Sequence, residues 1–191
     1  MLTVLVIDES RARAGEICAG LALAGYQVAA ILAGADNLTA EVERLQPDVI
    51  LIDTDSPSRD TLENLAAMNK DMPRPVVIFT QEDGRETIRD AVRAGVSAYV
   101  VDGLDPKRIK PIVEVARARF EDTQALRREL DEISQKLTDR KLVDKAKGVL
   151  MKARGLDEDA AYHAMRKLAM ERGQTIAKVA RDVIDMARVL L

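Results

Sequence analysis

Five short apolar runs, rich in β-branched residues, recur in the first hundred positions of the chain. They occupy residues 3–7, 27–32, 48–52, 75–80 and 98–101. The segments between them carry apolar residues at helical spacing instead. Runs without polar alternation are typical of strands buried on both faces, and the alternation of strand and helix favours parallel pairing. The pattern therefore predicts an α/β fold: a doubly wound, five-stranded parallel sheet with helices on both faces.

From about residue 107 the pattern changes to that of continuous helix. Four apolar residues with spacings of 4, 3 and 4 stand among charged side chains: Leu126, Leu130, Ile133 and Leu137. This spacing is typical of a short coiled coil. The alternative is an amphipathic helix that packs on its own domain.

The last fifty residues have the pattern of three helices. The first covers about residues 139–153, the second runs from the acids at 157–159 to just before Gly173, and the third begins around Thr175. A small three-helix bundle is the simplest way to bury their apolar stripes. The predicted domains are residues 1–115, a coiled-coil linker over 116–138, and 139–191.

The composition narrows the chemistry and the compartment. With one cysteine, Cys18, and one histidine, His163, we expect neither a disulfide framework nor a cysteine or histidine metal cluster. The N-terminal apolar run is short and ends in acids, which favours a buried strand over a signal peptide. No run approaches the length of a membrane span. We therefore expect a reduced, cytoplasmic protein.

Charge is distributed unevenly along the chain, whose net charge is -3. Residues 1–116 hold 12 basic and 19 acidic residues, and residues 117–140 hold 6 of each. Residues 141–191 hold 11 basic and 7 acidic residues. A basic C-terminal part behind an acidic one indicates a polyanionic partner for the C-terminal part.

Acidic and hydroxyl side chains stand where the predicted strands end: Asp8, Glu9, Asp53 and Thr80. In a doubly wound sheet these ends converge at one edge, where the three acids would form an oxygen site suited to Mg²⁺. A metal there would let Asp53 accept a phosphoryl group, whose oxygens Thr80 would hydrogen-bond. Asp53 is thus a candidate phospho-acceptor. Asp8, Glu9 and Asp53 are candidate ligands of Mg²⁺, although no cofactor is required.

At these residues the first 120 positions resemble response-regulator receiver domains. The resemblance implies a lysine followed by proline after the fifth strand, whose cation would pair with the phosphorylated aspartate. This chain has "YVVDGLDP" there, with Asp102 and Gly103 at the matching positions. An acid would repel the phosphoryl group that a lysine attracts. Two interpretations follow: a phosphorylation switch at Asp53, or an acidic pocket retained in a pseudo-receiver that serves as a docking scaffold.

Basic residues concentrate between positions 139 and 156. The candidate polyanion contacts are Lys141, Lys145, Lys147, Gly148, Lys152 and Arg154 in this segment, and Arg166, Lys178 and Arg181 after it. On a helix the spacings of 4, 3 and 4 from Lys141 to Lys152 form one stripe, which also contains Gly148. Gly148 would let a nucleic-acid backbone come close. The stripe is either an ordinary solvated helix face or a polyanion contact.

The sequence from Ala146 to Ile184, "AKGVLMKARGLDEDAAYHAMRKLAMERGQTIAKVARDVI", resembles the ANTAR domain, an RNA-binding three-helix module of transcription antiterminators. A receiver-like domain, a coiled coil and an ANTAR domain in that order is the layout of the AmiR/NasT family. Four further stretches resemble its NasT-like members: "SPSRD", "PRPVVIFT", "AGVSAYVVDGL" and "ARFEDTQALRREL".

The resemblance implies a non-enzymatic, RNA-binding transcription antiterminator. Its partners would be a leader RNA with paired hairpins, a second copy of the chain and, as in NasT-like members, a nitrate-sensing NasS-like protein that restrains it. Its targets would be nitrate and nitrite assimilation genes, and the candidate polyanion contacts would touch RNA. Two rivals stay open: a phosphorylation-switched DNA-binding response regulator, and a phosphotransfer enzyme that uses Asp53.

Overall fold

The structure is a computed structural model that describes residues 1–8, 13–101, 105 and 107–190, with side chains up to residue 188. The chain divides into two compact units, Met1–Gln124 and Ala125–Leu191. Glu9, Asp102 and Gly103 lie outside the described residues. Within the described ranges, no helix is both long and apolar enough to cross a membrane.

The first unit contains a five-stranded sheet. Its strands are β1 (Thr3–Asp8), β2 (Gln27–Leu32), β3 (Val49–Asp53), β4 (Val76–Thr80) and β5 (Ala98–Val101). All neighbouring strands pair in parallel, in the order β2-β1-β3-β4-β5. The helices between them are α1 (Ala14–Leu23), α2 (Leu38–Leu45), α3 (Arg59–Asp71) and α4 (Arg85–Arg93). The predicted doubly wound parallel sheet is confirmed.

Apolar side chains cover both faces of this sheet. Successive residues of a strand point to opposite faces, so Leu5 and Ile7 join one core cluster while Val4 and Val6 join another. The first cluster includes side chains of α2, α3 and α4, and the second includes side chains of α1 and of α5 (Ile109–Arg154). Because each face has its own cover of helices, the strands are apolar at nearly every position.

Helix α5 is 46 residues long, or about 69 Å at the usual rise per residue. Its first turns belong to the core of the first unit through Ile109, Val113 and Ala116. It then continues without a break to Arg154, so both predicted domain boundaries, 115 and 138, fall inside one helix. The prediction of a separate helix beginning near residue 139 is wrong, because no glycine or proline stands between residues 112 and 147 to interrupt the helix.

The predicted coiled-coil stripe lies on α5 in the second unit. Its four side chains, Leu126, Leu130, Ile133 and Leu137, are between 54% and 58% exposed. The described chain therefore does not bury this stripe, contrary to the alternative interpretation of a helix packed on its own domain.

The end of α5, α6 (Glu158–Arg172) and α7 (Ile176–Leu190) form the helical part of the second unit. Asp157 caps α6, because its carboxylate accepts a hydrogen bond from Ala160 N at 2.7 Å. Gly173 ends the helix at a φ of 60°, which glycine adopts without strain. The core consists of Ala146, Met165, Ala169, Val179, Ala180 and Ile184. Three helical segments thus share one core, as the stripes predict.

Candidate nucleic-acid interface and receiver pocket

Asp8 and Asp53 lie side by side at the carboxyl edge of the sheet. β1 and β3 are neighbours in parallel register, with Asp8 opposite Asp53. Both side chains are fully buried. Asp53 Oδ1 accepts no hydrogen bond from any residue that the structure describes. The fold therefore brings together two of the three predicted pocket acids, and the third, Glu9, is beyond the described part of the chain.

Thr80 is buried at the end of β4, where the sequence predicts it. Its hydroxyl donates a hydrogen bond to the backbone carbonyl of Asp55 at 2.8 Å and accepts one from Glu82 N at 3.2 Å. These bonds connect the segment after β3 to the segment after β4. Its predicted contact with phosphoryl oxygens stays a prediction.

Arg13, at the start of α1, is a pocket residue that the sequence reasoning missed. Its Nε lies 2.9 Å from Asp53 Oδ2, and its Nη2 lies 3.4 Å from Asp55 Oδ1. The Arg13 side chain is 32% exposed, whereas that of Asp53 is fully buried. A cation of the chain itself therefore stands against the candidate phospho-acceptor. No motif announces it, because one arginine five positions after a strand is an ordinary surface residue.

The surroundings of Asp53 oppose each other in their effect on its charge. Burial is the largest influence and raises the pKa of the carboxyl, while the Arg13 guanidinium lowers it and the carboxylates of Asp8 and Asp55 raise it. The net effect is a pKa above the ordinary aspartate value. Arg13 thus compensates the charge of Asp53 only in part.

The pocket carboxylates suit a hard cation in kind, because Mg²⁺ prefers oxygen ligands. Across the described ranges, no group of three or more His, Cys, Asp or Glu side chains could hold a metal ion. A Mg²⁺ on Asp8, Glu9 and Asp53 would supply positive charge for a phosphoryl donor, and it would compete with Arg13 for Asp53. Mg²⁺ binding by Asp8, Glu9 and Asp53 therefore stays a prediction.

Most of the candidate polyanion contacts are exposed on the second unit. The exposed cations are Lys141, Lys145, Lys152 and Arg154 on α5, Arg166 on α6, and Lys178 and Arg181 on α7. Gly148 lies within the α5 stripe, and a Cβ added there would meet nothing within 4 Å. Packing inside the chain therefore does not require this glycine.

Lys147 differs from the other candidate contacts. Its Nζ lies 2.7 Å from Asp144 Oδ1 and 2.7 Å from Glu158 Oε1, and its side chain is only 16% exposed. Hydrogen bonds to these two carboxylates raise the pKa of Lys147. Lys147 thus joins α5 to the first turn of α6, and its charge is compensated within the chain.

Ion pairs also distinguish the cations of α7. Lys178 Nζ lies 2.9 Å from Asp182 Oδ1, and Arg188 Nη1 lies 3.6 Å from Asp185 Oδ1. By contrast, Arg181 forms no ion pair with any described residue, and the same holds for Lys145 on α5. The predicted contacts thus include compensated and uncompensated charges, which sequence alone does not separate.

The candidate contacts are distributed over separate surfaces. Lys145 and Arg181 line one groove between α5 and α7. Lys147 and Gly148 line a second groove between α5 and α6. Arg166 lines a third, shallow depression on α6. Lys145 and Arg181 are therefore the predicted contacts that two different helices bring to the same groove.

Comparison with known proteins identifies both parts of the chain. The sequence profile of the response regulator receiver domain matches residues 4–114, and that of the ANTAR domain matches residues 131–184. Transcriptional regulatory protein PdtaR of Mycobacterium tuberculosis is 29% identical over 161 residues, which are 84% of this chain and 78% of the relative.

Two further curated relatives match shorter parts. The Nitrate regulatory protein of Klebsiella oxytoca is 35% identical over 85 residues, 44% of this chain and 22% of the relative. The Aliphatic amidase regulator of Pseudomonas aeruginosa is 26% identical over 109 residues, 57% of this chain and 56% of the relative. The chain thus spans only part of the length of these two relatives.

Solved structures share the fold of the first unit. The signal receiver domain of a modulated diguanylate cyclase from Desulfovibrio desulfuricans G20 superposes with a TM-score of 0.56 at 20% identity, over 63% of this chain and 97% of that chain. A CheY-like receiver domain protein from Methanospirillum hungatei JF-1 also has a TM-score of 0.56, at 22% identity, over 64% and 98%. Because the receiver-domain profile matches more than half of its residues, the chain belongs to the response regulator receiver family, and it joins its receiver domain to a C-terminal ANTAR domain.

Proposed function

We propose that the chain is a cytoplasmic, non-enzymatic transcription antiterminator that binds paired hairpins in a leader mRNA. The observation that carries this proposal is the exposed, partly uncompensated cationic surface of the ANTAR domain. Lysine and arginine contact phosphates, and a helical surface can read the exposed bases of RNA loops. Binding of the leader hairpins would prevent a terminator from forming.

The exposed stripe on α5 supports a dimeric form of this antiterminator. Leu126, Leu130, Ile133 and Leu137 follow coiled-coil spacing and stay more than half exposed. A second copy of α5 would remove these side chains from water by knobs-into-holes packing. Two copies of the ANTAR domain in one dimer would match two hairpins in one RNA.

The regulatory input of the proposed antiterminator is a sensor protein. The likeness to the Nitrate regulatory protein of Klebsiella oxytoca and the NasT-like stretches support nitrate and nitrite assimilation genes as its targets. A nitrate-sensing, NasS-like partner would hold the protein away from RNA and release it when nitrate is present. If the purified chain bound the leader RNA equally well with and without this partner, the restraint mechanism would be wrong.

The receiver domain would serve as the docking part of this system instead of a phosphorylation switch. Arg13 against Asp53 Oδ2 supports this role, and so does an acid, Asp102, at the position where a receiver lysine is expected. Incubation with acetyl phosphate and Mg²⁺ followed by intact-mass spectrometry tests it. A phosphorylated species that disappears in Asp53→Asn would support the phosphorylation-switched rival.

The decisive experiment for the function is sequencing of the nucleic acid that copurifies with the full chain. We expect RNA from the leader of an operon, enriched over total RNA and containing two adjacent hairpins. A gel-shift competition between that leader RNA and the promoter duplex then separates the antiterminator from a DNA-binding regulator. Selective recovery of promoter DNA, or no enrichment of any transcript, would overturn the proposal.

A further inference from the structure

We propose that the groove between α5 and α7 is the place where the ANTAR domain binds the phosphodiester backbone of RNA. The groove has a volume of about 250 Å³ and is lined by Leu142, Lys145, Arg181, Ile184, Asp185 and Arg188. This inference rests on the proposed RNA-binding function and names the surface that performs it.

Charge distinguishes this groove from two other depressions that the described residues of the domain form. Its lining combines three cations with one acid, Asp185. The α5–α6 groove combines two cations, Arg140 and Lys147, with two acids, Asp144 and Glu158. The depression on α6 has two cations and one acid. Because a polyanion is attracted by net positive charge, the α5–α7 groove is the most favourable of the three.

The two central cations of the groove are also the uncompensated ones. Lys145 and Arg181 have no ion pair with the described residues, whereas Lys147 has two acidic partners within 2.7 Å. A cation that already has a carboxylate partner loses that partner's attraction when it turns to a phosphate. Lys145 and Arg181 carry no such cost.

The backbone that bears these cations is held by the core. Lys145 precedes Ala146 and Arg181 follows Ala180, and both alanines are fully buried. Their neighbours in the groove floor are apolar: Ile184 is 5% exposed and Leu142 packs against the same core cluster. Cations on fixed helices around an apolar floor suit a sugar–phosphate chain, whose ribose contacts the floor while its phosphates meet the rim.

The test compares two double variants of the full chain that remove the same charge. Lys145→Gln/Arg181→Gln neutralises the groove, and Lys147→Gln/Lys178→Gln neutralises two compensated cations. The ligand is the copurified leader RNA, transcribed in vitro with a fluorescein label and titrated at several salt concentrations. Circular dichroism melts verify that both variants are folded.

We expect the groove variant to bind at least about tenfold more weakly at 0.1 M salt, with a slope of log affinity against log salt flatter by about one to two. The control should keep the wild-type slope. The control leaves three acids without their cations, and these acids would repel RNA. The control therefore also loses some affinity, so a larger loss of affinity in the groove variant is a strict criterion. Asp185→Asn, which removes the one acid of the groove, should tighten binding.

The outcomes separate this inference from the function on which it rests. If wild type binds the RNA and the two double variants lose equal affinity and slope, the groove is not the phosphate site but the RNA function stands. A groove variant that loses duplex DNA and keeps RNA overturns the inference in the same way. If wild type itself does not bind the RNA, both the function and the groove fail.

Discussion

The two units of the chain differ in whether their functional candidates are paired within the chain or exposed to solvent. In the first unit, polar groups are paired within the chain: buried Asp53 forms an ion pair with Arg13, and the Tyr26 hydroxyl donates a hydrogen bond to Glu114 Oε1 at 2.9 Å. In the second unit an apolar stripe and the cations of the α5–α7 groove face outwards. A group compensated within the chain contributes to folding, whereas an exposed and uncompensated group can bind a partner.

The largest effect should come from making the outward stripe polar. Leu130→Gln/Ile133→Gln keeps helix propensity and charge but removes two apolar side chains from the proposed dimer contact. We expect a monomer in analytical ultracentrifugation. Affinity for the two-hairpin RNA should fall by about a hundredfold or more, because the second ANTAR domain no longer binds at high effective concentration.

A matched control lies on the opposite side of the same helix. Gln135 is exposed and stands about half a turn away from the stripe. Gln135→Ala should leave both the dimer and the RNA affinity unchanged. A dimer that survives the stripe variant, or a wild type that is already monomeric at micromolar concentration, would contradict the outward role of the stripe.

The inward role of Arg13 is tested by removing it. Arg13→Ala leaves the buried Asp53 carboxylate without its cation, so we expect the free energy of unfolding at pH 7 to fall by about 1–3 kcal/mol. Urea denaturation in the presence of EDTA measures this loss without interference from bound metal. Asp55→Asn is the control, because Asp55 is 82% exposed and an exposed ion pair contributes little.

A double-mutant cycle sharpens this result. In an Asp53→Asn background the buried carboxylate that Arg13 contacts is gone, so Arg13→Ala should then cost less than about 0.5 kcal/mol. Equal losses in both backgrounds would mean that Arg13 stabilises the fold through its packing and not through Asp53. The ion pair between Arg13 and Asp53 would then not be what stabilises the first unit at this position.

The hydrogen bond between Tyr26 and Glu114 should make the stability of the first unit depend on pH. Burial, and then the hydrogen bond to Glu114, raise the pKa of Tyr26 to about 12, from 10.0. Above pH 10 the unfolded chain loses the phenolic proton while the folded chain keeps it, so stability should fall as pH rises from 10 to about 12. Tyr26→Phe should cost about 0.5–1.5 kcal/mol below pH 10.

The difference between wild type and Tyr26→Phe should shrink steadily between pH 10 and 12. Guanidinium denaturation at several pH values measures it, and other titrating groups cancel in the comparison. A constant difference across this range would mean that folding does not raise the pKa of Tyr26.

The architecture of the chain was accessible from its sequence because the fold rests on periodicity. The strands were predicted to within one residue, since buried parallel strands are apolar throughout and end abruptly at acids such as Asp8 and Asp53. The start of the C-terminal bundle was not predicted correctly. The apolar stripe shifts from one face of α5 to another along the helix, and such a shift looks like the start of a new helix. Only the lack of a glycine or proline between Pro111 and Gly148 signals that α5 is continuous.

Side-chain compensation was not accessible from the sequence. Arg13 meets Asp53 across a separation of forty positions, and Lys147 meets Glu158 across the turn between α5 and α6. Periodicity assigns a residue to a face of its own helix, but it does not say which acid from another element stands within 4 Å. The cations of the ANTAR domain therefore form one class in the sequence and two classes in the structure.

Lys147 is the exception within the outward-facing unit, and it gives the smallest expected effects. Because its charge is compensated by Asp144 and Glu158, Lys147→Gln should change RNA affinity by no more than about twofold and should slightly lower the melting temperature. The loss in melting temperature should shrink at high salt, because the carboxylates of Asp144 and Glu158 are exposed and their charges are screened. Glu158→Gln should act in the opposite direction on binding: it frees part of the Lys147 charge and should steepen the salt dependence of RNA affinity by up to about one unit of slope. A Lys147→Gln variant that flattens the slope as much as Lys145→Gln does would show that internal ion pairs do not decide which cations reach RNA.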